Sequence, residues 1–292
     1  MDIQTLESRI RGALYGYAIG DAMGTTTEFL TKEEVKAKYG TVNNIVGGGA
    51  FKLAPGKGTD DTAMTLCVID AIMHSGGSEE EMLDLCCKYF FHWLRTDGLG
   101  CGGCCYKAIK NNCYTFDHKK WLENTYEGKG MPKSMKSLGN GSLMRALPMA
   151  LAGLSPEVNV KQGSLTHNND ECNGAIMIYH AIITSLLDNT DTYDILLKKY
   201  MGNLMEPSGL ISNTFNNVMY YAATSRTFEE SILGPVNDGG DADTIAAITG
   251  GITGCMFGFE NIPSEWVDRL DTKTKEKLES FLNFLMKKYV QI

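Results

Sequence analysis

Basic charge is scarce in this chain: 27 Lys and Arg stand against 35 Asp and Glu, a net charge of −8 over 292 residues. No block of Lys and Arg interleaved with aromatics occurs, which excludes a surface that holds nucleic acid by bulk charge. A long apolar run is missing too. The strongest stretch, Thr244 to Phe259, is too short and too rich in Gly and Thr to cross a bilayer. Met1-Asp2-Ile3-Gln4 lacks the basic and apolar parts of a secretory signal, so a soluble, cytoplasmic protein with no membrane partner is expected. Cysteine occurs nine times, and an odd count fits a reducing compartment better than a disulfide framework. Cys101-Gly-Gly-Cys104 has no second spaced pair and no His at ligand spacing, which favours small buried thiols over zinc or redox chemistry. Strand-like alternation is rare, whereas helix starts recur along the whole chain. The fold class is therefore all-α, and without a linker or composition break residues 1–292 read as a single domain.

What is abundant is oxygen at two helix starts. Asp238-Gly239-Gly240-Asp241-Ala242-Asp243-Thr244 places carboxylates and a hydroxyl on a glycine-rich turn ahead of a long apolar helix. Gly58-Thr59-Asp60-Asp61-Thr62 does the same ahead of a helix from Ala63 to about His74. Asp and Thr at a helix start are ordinary N-caps, and the helix dipole favours acids there. A helix needs only one capping side chain, however, and each stretch supplies four polar groups. Like charges packed so closely repel unless a proton or a cation lies between them. Hard oxygen ligands without Cys or His suit Mg²⁺ or Mn²⁺ rather than zinc, and four carboxylates suit two ions better than one.

Two glycine stripes mark the other unusual feature. Gly12, Gly16 and Gly20 in one helix, and Gly250, Gly254 and Gly258 in another, recur every four residues. Each glycine costs a helix ~1 kcal/mol relative to alanine, so the stripes imply close backbone packing and mark the most central helices. Thr31-Lys-Glu-Glu34 and Ser78-Glu-Glu-Glu81 have the capping-box form. Asn43 to Lys57 is a loop, and Lys273 to Val290 is an amphipathic helix for the outside of the bundle. Gly139-Asn140-Gly141-Ser142 precedes a helix expected to kink at Pro148. The turn Asp97-Gly98-Leu99-Gly100-Cys101-Gly102-Gly103 is either a phosphate cradle at a helix start or a plain linker. By its local context Glu28 reads as a solvated loop residue and His167 as a capping or core residue.

In order along the chain, Gly20-Asp21-Ala22-x-Gly24-x-x-x-Glu28-Phe29, Thr59-Asp60-Asp61-Thr62, Gly139-Asn140-Gly141-Ser142-x-Met144-Arg145, Thr166-His167 and Gly239-Gly240-Asp241-Ala242-Asp243-Thr244-x-Ala246 resemble the ADP-ribosylglycohydrolase family from about residue 8 to 265. The resemblance implies a single-domain orthogonal helical bundle with a binuclear Mg²⁺ or Mn²⁺ site at helix N-termini. Carried over residue by residue, it makes Thr59, Asp60, Asp61, Asp241, Asp243 and Thr244 the metal ligands and Glu28 a gate or base beside them. It places Gly100-Cys101-Gly102-Gly103 at the diphosphate of ADP-ribose. Members often have Asn and Thr after the second glycine, where this chain has Gly103, Cys104 and Cys105. Asn140, Gly141, Ser142 and His167 would line the phosphate or ribose pocket, and Asp97 would meet the leaving group or else be a turn residue ahead of Gly98. The implied reaction is hydrolysis at the anomeric carbon of the distal ribose, with Asp60, Asp61, Asp241 or Glu28 accepting a proton from the attacking water.

Three activities fit that resemblance. The first is removal of ADP-ribose from protein arginine, which the compact length and motif spacing favour. The second is a hydrolase for serine-linked or polymeric ADP-ribose, or for a small ADP-ribosylated metabolite. The third is a silent, crystallin-like binding or structural protein, against which the full set of expected ligands argues. The expected partners are an ADP-ribosylated protein substrate and the ADP-ribose product, on a monomer.

Overall fold

The computed structural model describes residues 2–125 and 137–290. Those residues form fifteen α-helices and no strand: α1 (Ile3–Gly24), α2 (Lys32–Tyr39), α3 (Asp60–His74), α4 (Glu79–Thr96), α5 (Gly103–Asn111), α6 (His118–Thr125), α7 (Leu147–Leu151), α8 (Pro156–Ser164), α9 (Asp170–Leu187), α10 (Thr192–Tyr200), α11 (Ile211–Thr224), α12 (Phe228–Asp238), α13 (Ala242–Phe257), α14 (Ser264–Arg269) and α15 (Thr272–Val290). None is long and apolar enough to cross a membrane.

The two glycine stripes meet each other. A Cβ on Gly12 would lie 2.2 Å from the Gly254 carbonyl oxygen, one on Gly16 2.3 Å from that of Gly250, and one on Gly20 2.2 Å from that of Ala246. Rising numbers on α1 against falling numbers on α13 make the pair antiparallel, with the backbones in contact and no room for a side chain between them. The register has a consequence for chemistry. Gly24 at the end of α1 abuts Asp243 at the start of α13, where a Cβ would come within 2.4 Å of the Asp243 Cα. Two segments more than two hundred residues apart in sequence are thereby held side by side. Around this pair one continuous apolar cluster runs from Ile10 through Phe90, Ile176 and Ile248 to Leu285.

Local signals mostly hold. The Thr31 capping box is complete, Pro156 opens α8 behind the Ser155 cap, and Thr227 caps α12. α15 packs on α1, where Glu279 accepts from Tyr15 Oη at 2.9 Å and from Arg11 Nη2 at 3.2 Å while Phe281 and Leu285 are buried. Three expectations change. Pro148 kinks nothing, because it sits in the first turn of the short α7, where a missing N–H costs no bond. α12, which the sequence pattern ends at Leu233, runs past Pro235 to Asp238. α3 begins at Asp60, three residues earlier than the apolar pattern suggests, so its acids lie inside the first turn.

Candidate active site

α1 delivers Glu28 by a tight set of turns. Glu28 N–H donates to Gly24 O at 3.1 Å, Phe29 N–H to Gly240 O at 2.7 Å, and Gly240 N–H to Leu30 O at 2.7 Å. This last pair ties the end of the first motif to the glycines of the last. Glu28 is consequently buried, and the solvated-loop reading of it is overturned. Its carboxylate lies with those of Asp241 and Asp243, one oxygen from each within 4.8 Å of the others.

The surplus of acids is not used for capping. Asp241 occupies the N-cap position of α13 yet makes no cap bond. Its Oδ2 instead accepts from Asn140 Nδ2 at 2.5 Å, and the same amide reaches Thr214 Oγ1 at 2.9 Å. At α3 the cap is Thr59, whose hydroxyl accepts from Asp61 N–H at 3.3 Å. Asp61 Oδ2 accepts from the Thr59 and Thr244 hydroxyls at 3.3 and 3.2 Å, which links the two motifs directly. Asp238 alone points elsewhere, to Lys32 Nζ at 2.6 Å and to the Tyr221 hydroxyl.

Beneath this layer lies a carboxylate that reading the motifs as ligands passes over. Asp21 is fully buried and accepts from Thr59 N–H at 3.0 Å, Thr62 N–H at 2.9 Å and both threonine hydroxyls. It caps α3 from another helix, doing for Thr59 and Thr62 what a local side chain does elsewhere. The signal for it was an acid on the buried glycine face of α1, where an unpaired charge does not belong.

Burial raises every one of these acids. Asp21 is raised by burial despite its four donors. Burial, then the charge of Asp241, pushes Glu28 up to about 8. Burial and Asp21 push Asp60 up to about 8, and burial pushes Asp241 up to about 6. Asp61 and Asp243 are raised well above the carboxylate range, by burial first and then by neighbouring negative charge. Glu28 Oε2, Asp61 Oδ1 and Asp243 Oδ1 are buried without any hydrogen-bond partner. Orphaned buried carboxylate oxygens are costly, and a hard divalent cation is the chemistry that satisfies them. The cluster therefore fits a metal ion.

These acids form one wall of a cavity of about 280 Å³ whose other wall is glycine-rich backbone: Gly100, Gly102 and Gly103 with the start of α5, then Gly139 and Gly141, with His167 behind. Gly100 is at φ +80°, and a Cβ there would meet Asp60 Oδ1 at 2.6 Å. Gly102 N–H lies near the Asp60 carboxylate and favours its charged form. α5 has no side-chain cap, which leaves the amides of Gly103, Cys104 and Cys105 at the cavity for an anionic group. His167 Nδ1 pairs with Thr166 Oγ1 at 2.8 Å, and burial, then the charge of Arg145, pushes the ring down to about 3, so it is a neutral wall. Arg145 is wholly buried behind the Gly139–Ser142 turn. It donates to the Gly141 carbonyl, to Gln162 Oε1 at 2.6 Å and to Thr166 Oγ1 at 2.9 Å, and stacks on Phe90.

Four predicted site residues lie off the cavity wall. Thr59 stands behind it, its hydroxyl divided between Asp21 and Asp61. Ser142 is fully buried. Cys101 turns its thiol to its neighbour's carbonyl at 3.8 Å. Asp97 ends α4, exposed and away from the lining, because Gly98 at φ +61° turns the chain before Gly100 reaches the acids. Glu28, Asp60, Asp61, Asp241, Asp243, Thr244, Gly100, Gly102, Gly103, Asn140, Gly141 and His167 do converge. All nine cysteines are free.

The ADP-ribosylglycohydrolase family model matches residues 2–291. An ADP-ribosyl (dinitrogen reductase) glycohydrolase of Rhodospirillum rubrum is 30% identical, over 97% of this chain and 97% of its own. An ADP-ribosylarginine hydrolase of Pseudomonas putida is 30% identical over 90% of this chain and 74% of its own. A solved structure titled ADP-ribosylglycohydrolase-related protein complex superposes with a TM-score of 0.77 at 24% identity, covering 97% of this chain and 99% of that one, which shows a shared fold.

Proposed function

The chain belongs to the ADP-ribosylglycohydrolase family, and from that membership together with the chemistry of its cavity we propose a metal-dependent hydrolase that frees ADP-ribose from modified arginine side chains of proteins. The observation that carries the metal is the trio of buried, unpartnered oxygens on Glu28, Asp61 and Asp243. Asp60, Asp61, Asp241 and Asp243, with the hydroxyl of Thr244, would hold one or two Mg²⁺ or Mn²⁺ ions, and Thr59 would support them from behind through Asp61. Bound there, such ions supply Lewis-acid polarisation and neutralise the clustered charge.

The chain's own groups divide the remaining work. The free amides at the start of α5 bind the diphosphate, which sets the distal ribose over the carboxylates. Glu28 and Asp60 stand on the cavity wall and, once ionised, would accept the proton of the attacking water. Asn140 keeps Asp241 oriented, and Asp21 keeps α3 in register. Among the described residues no Lys or Arg lines the cavity, so a guanidinium leaving group, already cationic, meets carboxylates there and no like charge. The two relatives named above, one acting on ADP-ribosylarginine and one on dinitrogen reductase, support the same reading.

The test is release of ADP-ribose from arginine-modified and serine-modified peptides side by side, with Mg²⁺, with Mn²⁺ and with chelator. Metal-dependent release from arginine alone, lost in Asp243→Ala, is the expected result. Release from serine alone moves the linkage, and release in chelator refutes the metal.

A further inference from the structure

Phe29 follows Glu28 and is two-thirds exposed, an unusual place for a phenyl ring. Its φ of +65° is a conformation that aromatic residues avoid, held in place by the bonds of Phe29 and Leu30 to Gly240. Phe29 lines the active-site cavity and also a second cavity of about 500 Å³, whose wall includes Leu30, Lys32, Leu204, Glu206, Pro207 and Asp238. The loop between α10 and α11 supplies the far side of this groove. It displays Met201, Leu204, Met205 and Leu210, all more than two-fifths exposed.

This loop is not a loose tail. Asn217 clasps Met205 from both sides, accepting from its N–H at 2.8 Å and donating to its carbonyl at 3.1 Å. Asn213 donates to Glu206 O at 3.1 Å, and Thr214 to Ser208 O at 3.0 Å. The loop continues into Gly209, which lines the active-site cavity and whose carbonyl accepts from Asn140 N–H at 3.0 Å. The same loop thus borders both cavities, through Leu204, Glu206 and Pro207 on one and Gly209 on the other, with Phe29 common to the two. Asp238 is neutralised by Lys32, but the exposed Glu206 carboxylate has no ion pair among the described residues.

We propose that this groove docks the polypeptide that carries the modified arginine, taking one apolar and one basic side chain from the residues flanking it. The inference rests on the arginine reading of the site. With the diphosphate at α5 and the ribose over the carboxylates, the severed bond faces Glu28 and Phe29, so the protein side of the substrate leaves across the ring that the two cavities share. Leu204 and Phe29 take the apolar side chain, and Glu206 takes the cation. Rigid display lowers the ordering cost of such contacts.

Two synthetic peptides with one ADP-ribosylated arginine each test this, one flanked by Leu and Lys, the other by Gly and Asp, alongside ADP-ribosylarginine itself. The wild type should cleave the first peptide with kcat/KM about tenfold higher, chiefly through KM, which corresponds to about 1.4 kcal/mol. In the double variant Leu204→Asp/Glu206→Lys the two peptides should become equal while ADP-ribosylarginine is cleaved at the wild-type rate. Equal cleavage of the peptides by the wild type, a preference surviving in the variant, or loss of ADP-ribosylarginine cleavage in it each overturns the groove. A wild type that cleaves none of the three substrates refutes the arginine reading first, and the groove with it.

Discussion

Asp21→Asn is the substitution that most sharply separates a positioning carboxylate from a ligand. The wild-type carboxylate accepts from two backbone N–H groups and two hydroxyls, those of Thr59 and Thr62. Asparagine keeps one oxygen and puts a donor where the other stood. Even in the better orientation, with the oxygen kept at Oδ2 where it holds both α3 N–H groups, the new amide N–H takes the place of the Oδ1 acceptor shared by the Thr59 N–H and hydroxyl. An orphaned buried donor costs roughly 1–3 kcal/mol, and exchanging a charged for a neutral acceptor costs about 1 kcal/mol more, so a loss of about 2–4 kcal/mol is expected. For a chain of this length that is a drop in Tm of roughly 3–7 °C. The loss has a second signature. Removing the Asp21 charge also relieves its repulsion of Asp60 and Asp61, which offsets part of the cost only while no cation is bound. The drop should therefore be larger in Mn²⁺ than in chelator, and metal affinity should fall by about 10–100-fold, as for other groups that orient ligands. Calorimetric melts in both conditions and a metal titration read this out. A variant that melts within about 2 °C of the wild type and binds metal as tightly would refute the role given to Asp21.

Metal-stripped protein should lose stability as pH rises. Glu28 and Asp60 ionise near 4 when unfolded but only near 8 when folded, so the stabilisation of their protonated forms is complete below about pH 4 and gone above about pH 8. Melts in chelator should show Tm falling across that window and bound Mg²⁺ or Mn²⁺ reversing the fall; a flat profile in chelator would mean that the acids are solvated. Gly250→Ala should destabilise by about 3 kcal/mol or more, because its Cβ would sit 2.1 Å from the Gly16 carbonyl, even though alanine is favoured in a helix by about 1 kcal/mol. Denaturant midpoints settle the sign, and a stabilised variant would disprove backbone contact. Gly100→Ala should cut kcat at least tenfold in steady-state assays and cost folding about 1–2 kcal/mol, since φ +80° and Asp60 both oppose the methyl group. Asp97→Ala should leave kcat/KM within twofold, because its carboxylate is exposed beyond the cavity.

Helices and their starts were legible from local chemistry, as were the two acid-rich turns. One side chain caps a helix, so groups beyond that number at Thr59–Thr62 and Asp241–Thr244 needed another partner, and the structure turns most of them to one cavity. The glycine stripes announced close packing because glycine inside a helix is otherwise only a cost. What pattern could not supply was pairing. That Gly12 meets Gly254, and Gly24 meets Asp243, follows from a register between distant segments that no local rule specifies. Glu28 looked like a loop residue because its burial comes from the Phe29–Gly240 and Leu30–Gly240 bonds. Asp21 looked like part of a motif because its work is done on another helix. Asp97 lay close in sequence to the glycine turn, yet Gly98 and Gly100, both at positive φ, turn the backbone in between and leave it outside. Sequence thus determined which groups are present and which helix ends carry them. Tertiary structure decided which of them share a dielectric, because burial, repulsion and the unpaired oxygens that call for a cation exist only once the helices are packed.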